Sequence, residues 1–357
     1  MFHLRGKSTV LWRNLIVWLV AAFLIFPQIG YAQDALKEYV TIPDTVTMLL
    51  DVDDLYMGSF SKGFQVSASH PCFTVVDGVL FSKDKKTLVR YPYMRTDREY
   101  VIPNGTTSIE EDAFQFADHL HTVTLTASVT DCLDAFQNAA SCFVDFLVVP
   151  ENPLYATVKG VLYSKDQKEL LCYPRGRKKT HFSIAEGTET IGEASFLYCH
   201  YLTSVSMPDT VLTIGDSAFF GMNDLKKVEI SNNLRSIEDG AFGTCTQLRN
   251  IKLPEGLTRI GEGAFMETRL TSIHIPKTVD YIGHDAFGDC DLLQSVYFEN
   301  KNVMIQDDIF TSFYAPAAEQ TFGWKGKPIV LTMYVYPGST AEKYAVEKGY
   351  ALQYMDQ

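Results

Sequence analysis

The strings Ile214-Gly-Asp-Ser-Ala-Phe219, Ile237-Glu-Asp-Gly-Ala-Phe242, Ile260-Gly-Glu-Gly-Ala-Phe265 and Ile282-Gly-His-Asp-Ala-Phe287 are successive copies of one pattern. Ile191 to Phe196 and Ile109 to Phe114 carry it too, and Ile305 to Phe310 is a worn last copy. The phenylalanines from 196 to 310 step by 23, 23, 23, 22 and 23 residues. A fixed period of this length marks a stacked repeat, in which each unit buries its apolar face against the next. Six residues after most of these phenylalanines a strand-like unit opens, as in Leu202-Thr-Ser-Val205-Ser-Met207-Pro208, Leu225-Lys-Lys-Val228-Glu-Ile230 and Leu248-Arg-Asn-Ile251-Lys-Leu253-Pro254. Leu270-Thr-Ser-Ile273-His-Ile275-Pro276 arrives one residue early.

Alternation along these units predicts which side chains face the core. Leu248, Ile251 and Leu253 point inward and Asn250 and Lys252 outward. Coils stacked at a strand spacing of about 4.8 Å then build a parallel sheet along one side of a solenoid. On the other side the Ala-Phe pair closes each coil, and the rings form a ladder. The outward strand positions are Thr122, Thr124, Ser204, Ser206, Lys227, Glu229, Asn250, Lys252, Ser272, His274, Ser295 and Tyr297, and this polar stripe is the candidate partner-binding face. Glu229 is the lone carboxylate on it, so the paired acids of a polysaccharide-cleaving enzyme are not supplied.

A longer duplication lies upstream. Phe73-Thr-Val-Val-Asp-Gly-Val-Leu-Phe-Ser-Lys-Asp84 matches Tyr155-Ala-Thr-Val-Lys-Gly-Val-Leu-Tyr-Ser-Lys-Asp166 at an offset of 82 residues. The match runs on through Tyr91-Pro92 and Tyr173-Pro174 to Phe114 and Phe196. Each copy reads as a hairpin with a turn at Ser-Lys-Asp, elaborating one coil. Near the start Ile42-Pro-Asp-Thr-Val46 echoes Met207-Pro-Asp-Thr-Val211 before the pattern fades. At the far end Ser339 and Glu342 fit a capping box, predicting a short helix to about Lys348 that Gly349 stops.

Residues 1–32 read as a secretory leader. Arg5, Lys7 and Arg13 precede twelve uninterrupted apolar residues from Leu15 to Phe26, Pro27 ends that run, and Gly30-Tyr31-Ala32 offers a small-residue cleavage site. The rival reading is an uncleaved anchor, although the apolar run is shorter than the roughly 20 residues of a spanning helix. Cleavage after Ala32 removes three positive charges and no acidic ones, taking the formal charge from −12 to −15. An acidic chain of this kind is unsuited to nucleic acid, whose recognition runs on clustered Lys and Arg. The organisation predicted is therefore 1–32 signal peptide, 33–63 degenerate N-terminal coil, 64–310 repeats, and 311–357 C-terminal insertion and cap.

Seven cysteines in an exported chain invite a disulfide framework, yet their positions favour buried free thiols. Cys199, Cys245 and Cys290 each stand three residues after a ladder Phe, two coils from one another, roughly 10 Å by strand spacing, which is beyond disulfide reach. Cys132 and Cys142 are the one pair left to check. His119-x-His121 brackets a strand-opening Leu and supplies two ligands where zinc needs three or four. Asp51-Val-Asp-Asp54 lacks the rest of a calcium loop. The one basic run, Arg175-Gly-Arg177-Lys178-Lys179, reads as a solvated hairpin exit, with contact to an acidic polymer as the alternative. There is no Gly-x-Ser-x-Gly elbow, no His-Glu-x-x-His and no phosphate loop, so neither catalysis nor a cofactor is expected.

The repeat closely resembles that of the BspA-like leucine-rich repeat proteins of bacteria, whose pattern is L-x-x-V-x-I-P, V-x-x-I-G-x-x-A-F, then C-x-x-L. Leu270 through Leu293 follows it nearly residue for residue, and the resemblance covers about residues 40–350. It implies a right-handed leucine-rich-repeat superhelix with little helix. It also implies a secreted or surface-exposed interaction or adhesion protein on the outer surface or in the periplasm of a bacterium. Host matrix proteins such as fibronectin and fibrinogen are ligands of some members. A monomer with a protein partner is expected, and a glycan-binding accessory protein of a surface polysaccharide system is the alternative.

Overall fold

Backbone contacts at matching points of every coil close the repeat into a solenoid. The computed structural model describes residues 36–37, 39–48, 60–137, 143–310, 322–323, 327–328 and 331–356. Residues 1–32, expected as a leader, residues 51–54, Cys142 and most of 311–330 lie outside the described residues. The fold is a β-solenoid of about 12 turns with almost no helix.

Strands line two sides of it where a sheet along one side was expected. The Ile of each motif lies in a two-residue strand, and Thr190–Ile191, Thr213–Ile214, Ser236–Ile237, Arg259–Ile260, Tyr281–Ile282 and Met304–Ile305 pair in parallel within a nine-stranded sheet. Ile191, Ile214, Ile237, Ile260 and Ile282 are fully buried. Glycine follows the Ile in most copies because the coils touch there: a Cβ on Gly283 would lie 2.5 Å from the Glu262 backbone nitrogen, and one on Gly215 would lie 2.9 Å from the Ile191 carbonyl oxygen.

The Ala-Phe turn supplies the next contact. The N–H groups of Phe196, Phe219, Phe242 and Phe265 donate to the carbonyls of Ala218, Ala241, Ala264 and Ala286, each at 2.8 Å. Reaching this geometry puts the residue before Ala, or its equivalent, in the left-handed region: Ser217 at φ 53°, Gly240 at 63°, Gly263 at 58° and Asp285 at 51°. The rings of Tyr173, Phe196, Phe219, Phe242, Phe265, Phe287 and Phe310 then stack with neighbouring centroids 4.9–5.9 Å apart.

Each duplicated segment folds as a three-stranded antiparallel meander rather than one hairpin. Phe73–Val76, Val79–Ser82 and Thr87–Arg90 form the first, and Tyr155–Val158, Val161–Ser164 and Glu169–Cys172 the second. Neither is an external elaboration. Alternate residues of a strand face opposite ways; in the second meander Val161, Tyr163 and Leu170 join the C-terminal core while Leu162, Cys172 and Tyr155 join the middle one. In the first, Val79, Phe81 and Leu88 face the middle core, and Leu80, Val89 and Phe73 an N-terminal one. The continuous apolar runs Val79-Leu-Phe81 and Val161-Leu-Tyr163 are thus explained by burial on both faces, and the core of the solenoid forms three compartments divided by two walls.

The C-terminal helix, Thr340–Lys348, is capped as its sequence predicts. Ser339 Oγ accepts from the Glu342 N–H at 3.1 Å, and Gly349 ends the helix in the left-handed conformation. Tyr344 seals the last coil, its hydroxyl accepting from the Ile309 N–H at 3.2 Å. The chain then adds one more parallel strand, Ala351–Tyr354, beside Thr332–Val335.

Phe242 has a ring neighbour on each face, at 5.1 and 5.4 Å, and no exposed surface. Phe242→Ala is expected to cost about 3–5 kcal/mol in urea or thermal unfolding. Ser217→Gly is expected to stabilise by about 1 kcal/mol in the same assay, because a side chain is disfavoured at positive φ and the next two coils already carry Gly240 and Gly263 there.

Candidate functional site

The outward residues fall into columns that follow strand pairing. In the first segment Glu99–Val101, Thr122–Leu125 and Asp145–Val148 align Glu99 with Thr122 and Asp145, and Val101 with Thr124 and Leu147. Thr122 and Thr124 are half-buried, whereas Val101 and Leu147 are exposed. Glu99 and Asp145 correct the sequence reading of Glu229 as the only carboxylate on the stripe. Asp145 is ion-paired to the Arg177 guanidinium.

In the second segment His181–Ser183, Ser204–Ser206 and Lys227–Glu229 align His181 with Ser204 and Lys227, and Ser183 with Ser206 and Glu229. The hydroxyls are bonded along the face: the His181 ring meets Ser204 and Ser183 at 3.0 Å each, and Ser206 Oγ donates to Ser183 Oγ at 3.0 Å. Lys227 and Glu229 pair with each other at 2.6 Å, and the hydrogen bond from Lys227 holds the Glu229 carboxyl below its usual range.

Strand pairing stops at the next coil. Asn250 and Lys252 are exposed as expected but lie outside any strand, and the sheet that ends at Lys227–Glu229 does not reach the one that starts at Ser272–Ile275. With the two meanders, this divides the described stripe into separate segments.

The last segment is the longest of the face, with four strands. Ser272–Ile275, Ser295–Phe298, Thr332–Val335 and Ala351–Tyr354 align Ser272, Ser295, Thr332 and Ala351 in one column and His274, Tyr297, Tyr334 and Gln353 in the other. The His274 and Tyr297 rings stack at 4.1 Å and 1°, and those of Tyr297 and Tyr334 at 4.2 Å and 15°. Sequence reasoning named His274 and Tyr297 but missed Tyr334, because residues 311–330 break the period. The alternation Met333-Tyr334-Val335 ahead of Pro337 was the available signal.

Each thiol of the Phe turns donates to the carbonyl of an aromatic one rung back. Cys245 bonds Phe219 at 3.1 Å, Cys290 bonds Phe265 at 3.1 Å and Cys199 bonds Tyr173 at 3.7 Å. Burial pushes the Cys290 and Cys172 thiols up to about 12, keeping them protonated and poorly nucleophilic. The six cysteines described are free, and the Cys132–Cys142 pairing falls outside the described residues. Among the described residues no group of three His, Cys, Asp or Glu is placed to hold a metal, and no helix is long and apolar enough to cross a membrane.

Beside the Ile ladder runs a column of acids. Asp216 Oδ1 accepts from the Asp239 N–H at 3.2 Å, and Asp239 Oδ1 accepts from the Glu262 N–H at 2.8 Å. Burial, then the neighbouring carboxylates, push Glu193, Asp216 and Glu262 above the ordinary carboxylate range.

Residues 93–144, 173–294 and 213–315 match the BspA type leucine rich repeat region, in six copies. The matched stretches span more than half of the chain, and the protein belongs to this leucine-rich repeat family. Among solved structures it is similar to the pneumococcal vaccine antigen PcpA, at 18% identity and a TM-score of 0.60 over 90% of this chain and 80% of that one. It is also similar to a leucine-rich cell surface protein of Faecalibacterium prausnitzii A2-165, at 22% identity and a TM-score of 0.50 over 75% of this chain and 80% of that one. At these identities the likeness is one of fold. No curated protein matches the chain.

The acid column sets a pH dependence. A carboxyl whose folded pKa lies above its unfolded value makes the native state hold more protons between the two. Its contribution is full below the unfolded value and is lost as pH rises through the folded one. Glu193, Asp216 and Glu262 all keep some solvent contact, so each effect is modest. Glu262→Gln is expected to raise the melting temperature at about pH 8 and to lose that advantage near pH 4.5, the ordinary range of Glu.

Proposed function

We propose that this protein is an exported, surface-exposed interaction module that binds a protein partner through its strand face, with the His274–Tyr297–Tyr334 stack at the centre of the contact. In this reading residues 1–32 are the export leader, 33–63 the first coil, 64–310 the repeats and 311–357 the insertion and cap. The stack carries the proposal. Tyr is favoured at protein interfaces because it offers large contact area with few torsions to freeze, and these rings are already held by their neighbours at 4.1 and 4.2 Å. Little ordering entropy is left to lose on binding. The adjoining column of Ser272, Ser295, Thr332 and Ala351 is small enough to admit a partner's side chains alongside the ring edges.

The glycan alternative calls for exposed aromatic faces on which a sugar ring can lie. At these separations no sugar fits between the rings, and Tyr297 has a ring over each of its faces. A protein partner suits that geometry better. Adhesion to matrix proteins such as fibronectin or fibrinogen is the specific form that the family resemblance supports. The family and fold also favour binding over catalysis.

The chain without residues 1–32 is to be tested against immobilised matrix proteins and against glycan arrays. Binding to a protein ligand is expected, with Tyr297→Ala plus Tyr334→Ala weakening it about tenfold or more, as for a hot-spot pair. Protein binding unchanged in the double variant would exclude the stack as the contact.

A further inference from the structure

The two duplicated meanders share one framework and differ in charge where they meet solvent. Both join their first two strands by a two-residue turn whose residues have positive φ: Asp77 at 49° and Gly78 at 75°, Lys159 at 51° and Gly160 at 77°. Both are locked by an arginine that donates to the first turn residue's carbonyl, Arg95 to Asp77 and Arg177 to Lys159. At the 82-residue offset, Asp77, Thr96 and Asp97 of the first copy become Lys159, Lys178 and Lys179 in the second.

Asp-Gly is the favoured pair for such a turn, whereas a lysine at positive φ is disfavoured by roughly 1–2 kcal/mol. Nothing in the packing accounts for that choice, since Lys159 is exposed. The arginines of this region are already engaged: Arg177 with Asp145, the Val144 carbonyl at 2.7 Å and the Tyr173 ring, and Arg175 over the Tyr198 ring at 5.4 Å. Lys159, Lys178 and Lys179 are all exposed, and among the described residues their ammonium groups make no ion pair or hydrogen bond. Three unpaired cations thus gather on a chain of formal charge −12.

An open aromatic ring stands in the adjoining coil. The Thr203 N–H donates to the Thr180 carbonyl at 2.8 Å, so Tyr201 and Lys178 hold matching positions in adjacent coils. Tyr201 is 42% exposed, and no ring of the described residues stacks on it. Unlike Tyr297, it has no neighbouring ring over either face among the described residues.

We propose that Lys159, Lys178, Lys179 and Tyr201 form a second binding surface, separate from the strand-face stack, for a linear anionic polysaccharide. The ammonium groups pair with sulfate or carboxylate groups along the chain, and Tyr201 takes the apolar face of a sugar. Lysine ammonium groups are compact point charges with freely rotating donors, without the fixed planar geometry of arginine. They suit a polymer whose charges can slide in register. An acidic protein surface would be better met by the arginines, which this site has spent on itself.

Binding of the chain without residues 1–32 to heparin (sulfated), polygalacturonate (carboxylated), dextran (neutral) and polyglutamate (acidic polypeptide) tests this at low ionic strength. Binding to heparin or polygalacturonate but not dextran is expected, and which of them binds identifies the anion. Added salt should weaken it, since exposed charges are screened. The variant Lys159→Asp, Lys178→Thr, Lys179→Asp installs residues the first meander already carries and relieves the lysine at positive φ, so it should melt no lower than the parent, yet it is expected to lose about tenfold or more in affinity by removal of three cation contacts. Tyr201→Ala should weaken glycan binding several-fold. A control with the same charge change at other exposed lysines, Lys85→Asp, Lys277→Thr, Lys343→Asp, should bind as the parent does. Failure to bind either anionic glycan, equal loss in the control, or binding to polyglutamate alone would overturn the proposal. Strand-face binding to a protein ligand should survive the Lys159 triple variant, so the two sites fail independently.

Discussion

A coil of this chain cannot satisfy itself, and the structure depends on that. Its Phe ring has two faces to bury, its Ile two-residue strand has hydrogen-bonding groups on both edges, and its turn N–H needs a carbonyl it does not own. All three needs are met at once when a copy stacks on either side, because the 23-residue step brings like groups into register. The energy of a coil therefore lies largely in its interfaces, as expected for a repeat array. The ends are where the rule must be broken. Tyr344 takes the place of a further rung, and the Ser339-capped helix replaces the outer arc of the last coil.

The meanders change that picture from a uniform stack to a partitioned one. A strand that buries both faces separates what lies on either side, and Val161, Leu162 and Tyr163 do so without any exposed surface. Each wall also exposes its turn at the flank of the solenoid. The same element divides the core and displays the Lys159 surface, so the duplication offers two copies of a framework on which charge can diverge while packing stays fixed.

Much of this was legible in the residues and some was not. The recurring Ile-Gly-x-x-Ala-Phe string carries the coil length, the ring ladder, the buried cysteines and the family, because each follows from spacing alone. Register along the solenoid does not. Whether Asn250–Lys252 pairs with its neighbours depends on backbone geometry across two coils, and the spacing there is regular on one side and a residue short on the other. Tyr334 is not legible because the period breaks between Phe310 and Leu331. In sequence the meanders look like elaborations of a coil, because a short apolar run looks the same whether one face or both are buried. The left-handed residues at Ser217 and Asp285 have no marker in sequence except the glycines that replace them in other copies.

Native-state hydrogen exchange on Phe242→Ala tests the interface-held, partitioned solenoid most directly. Loss of the shared rung should lower the protection of the Ile-arm amides Gly215 and Gly261 in the adjoining coils, whose hydrogen bonds cross to Ile191 and Ile237. The Ile109 amide, in the middle core beyond the second wall, should keep its protection. Protection lost evenly from Ile109 to Gly261 would show one undivided core, and loss confined to the mutated coil would show coils that stand without their neighbours. Either outcome would contradict a structure in which each coil is held by the next within walled compartments.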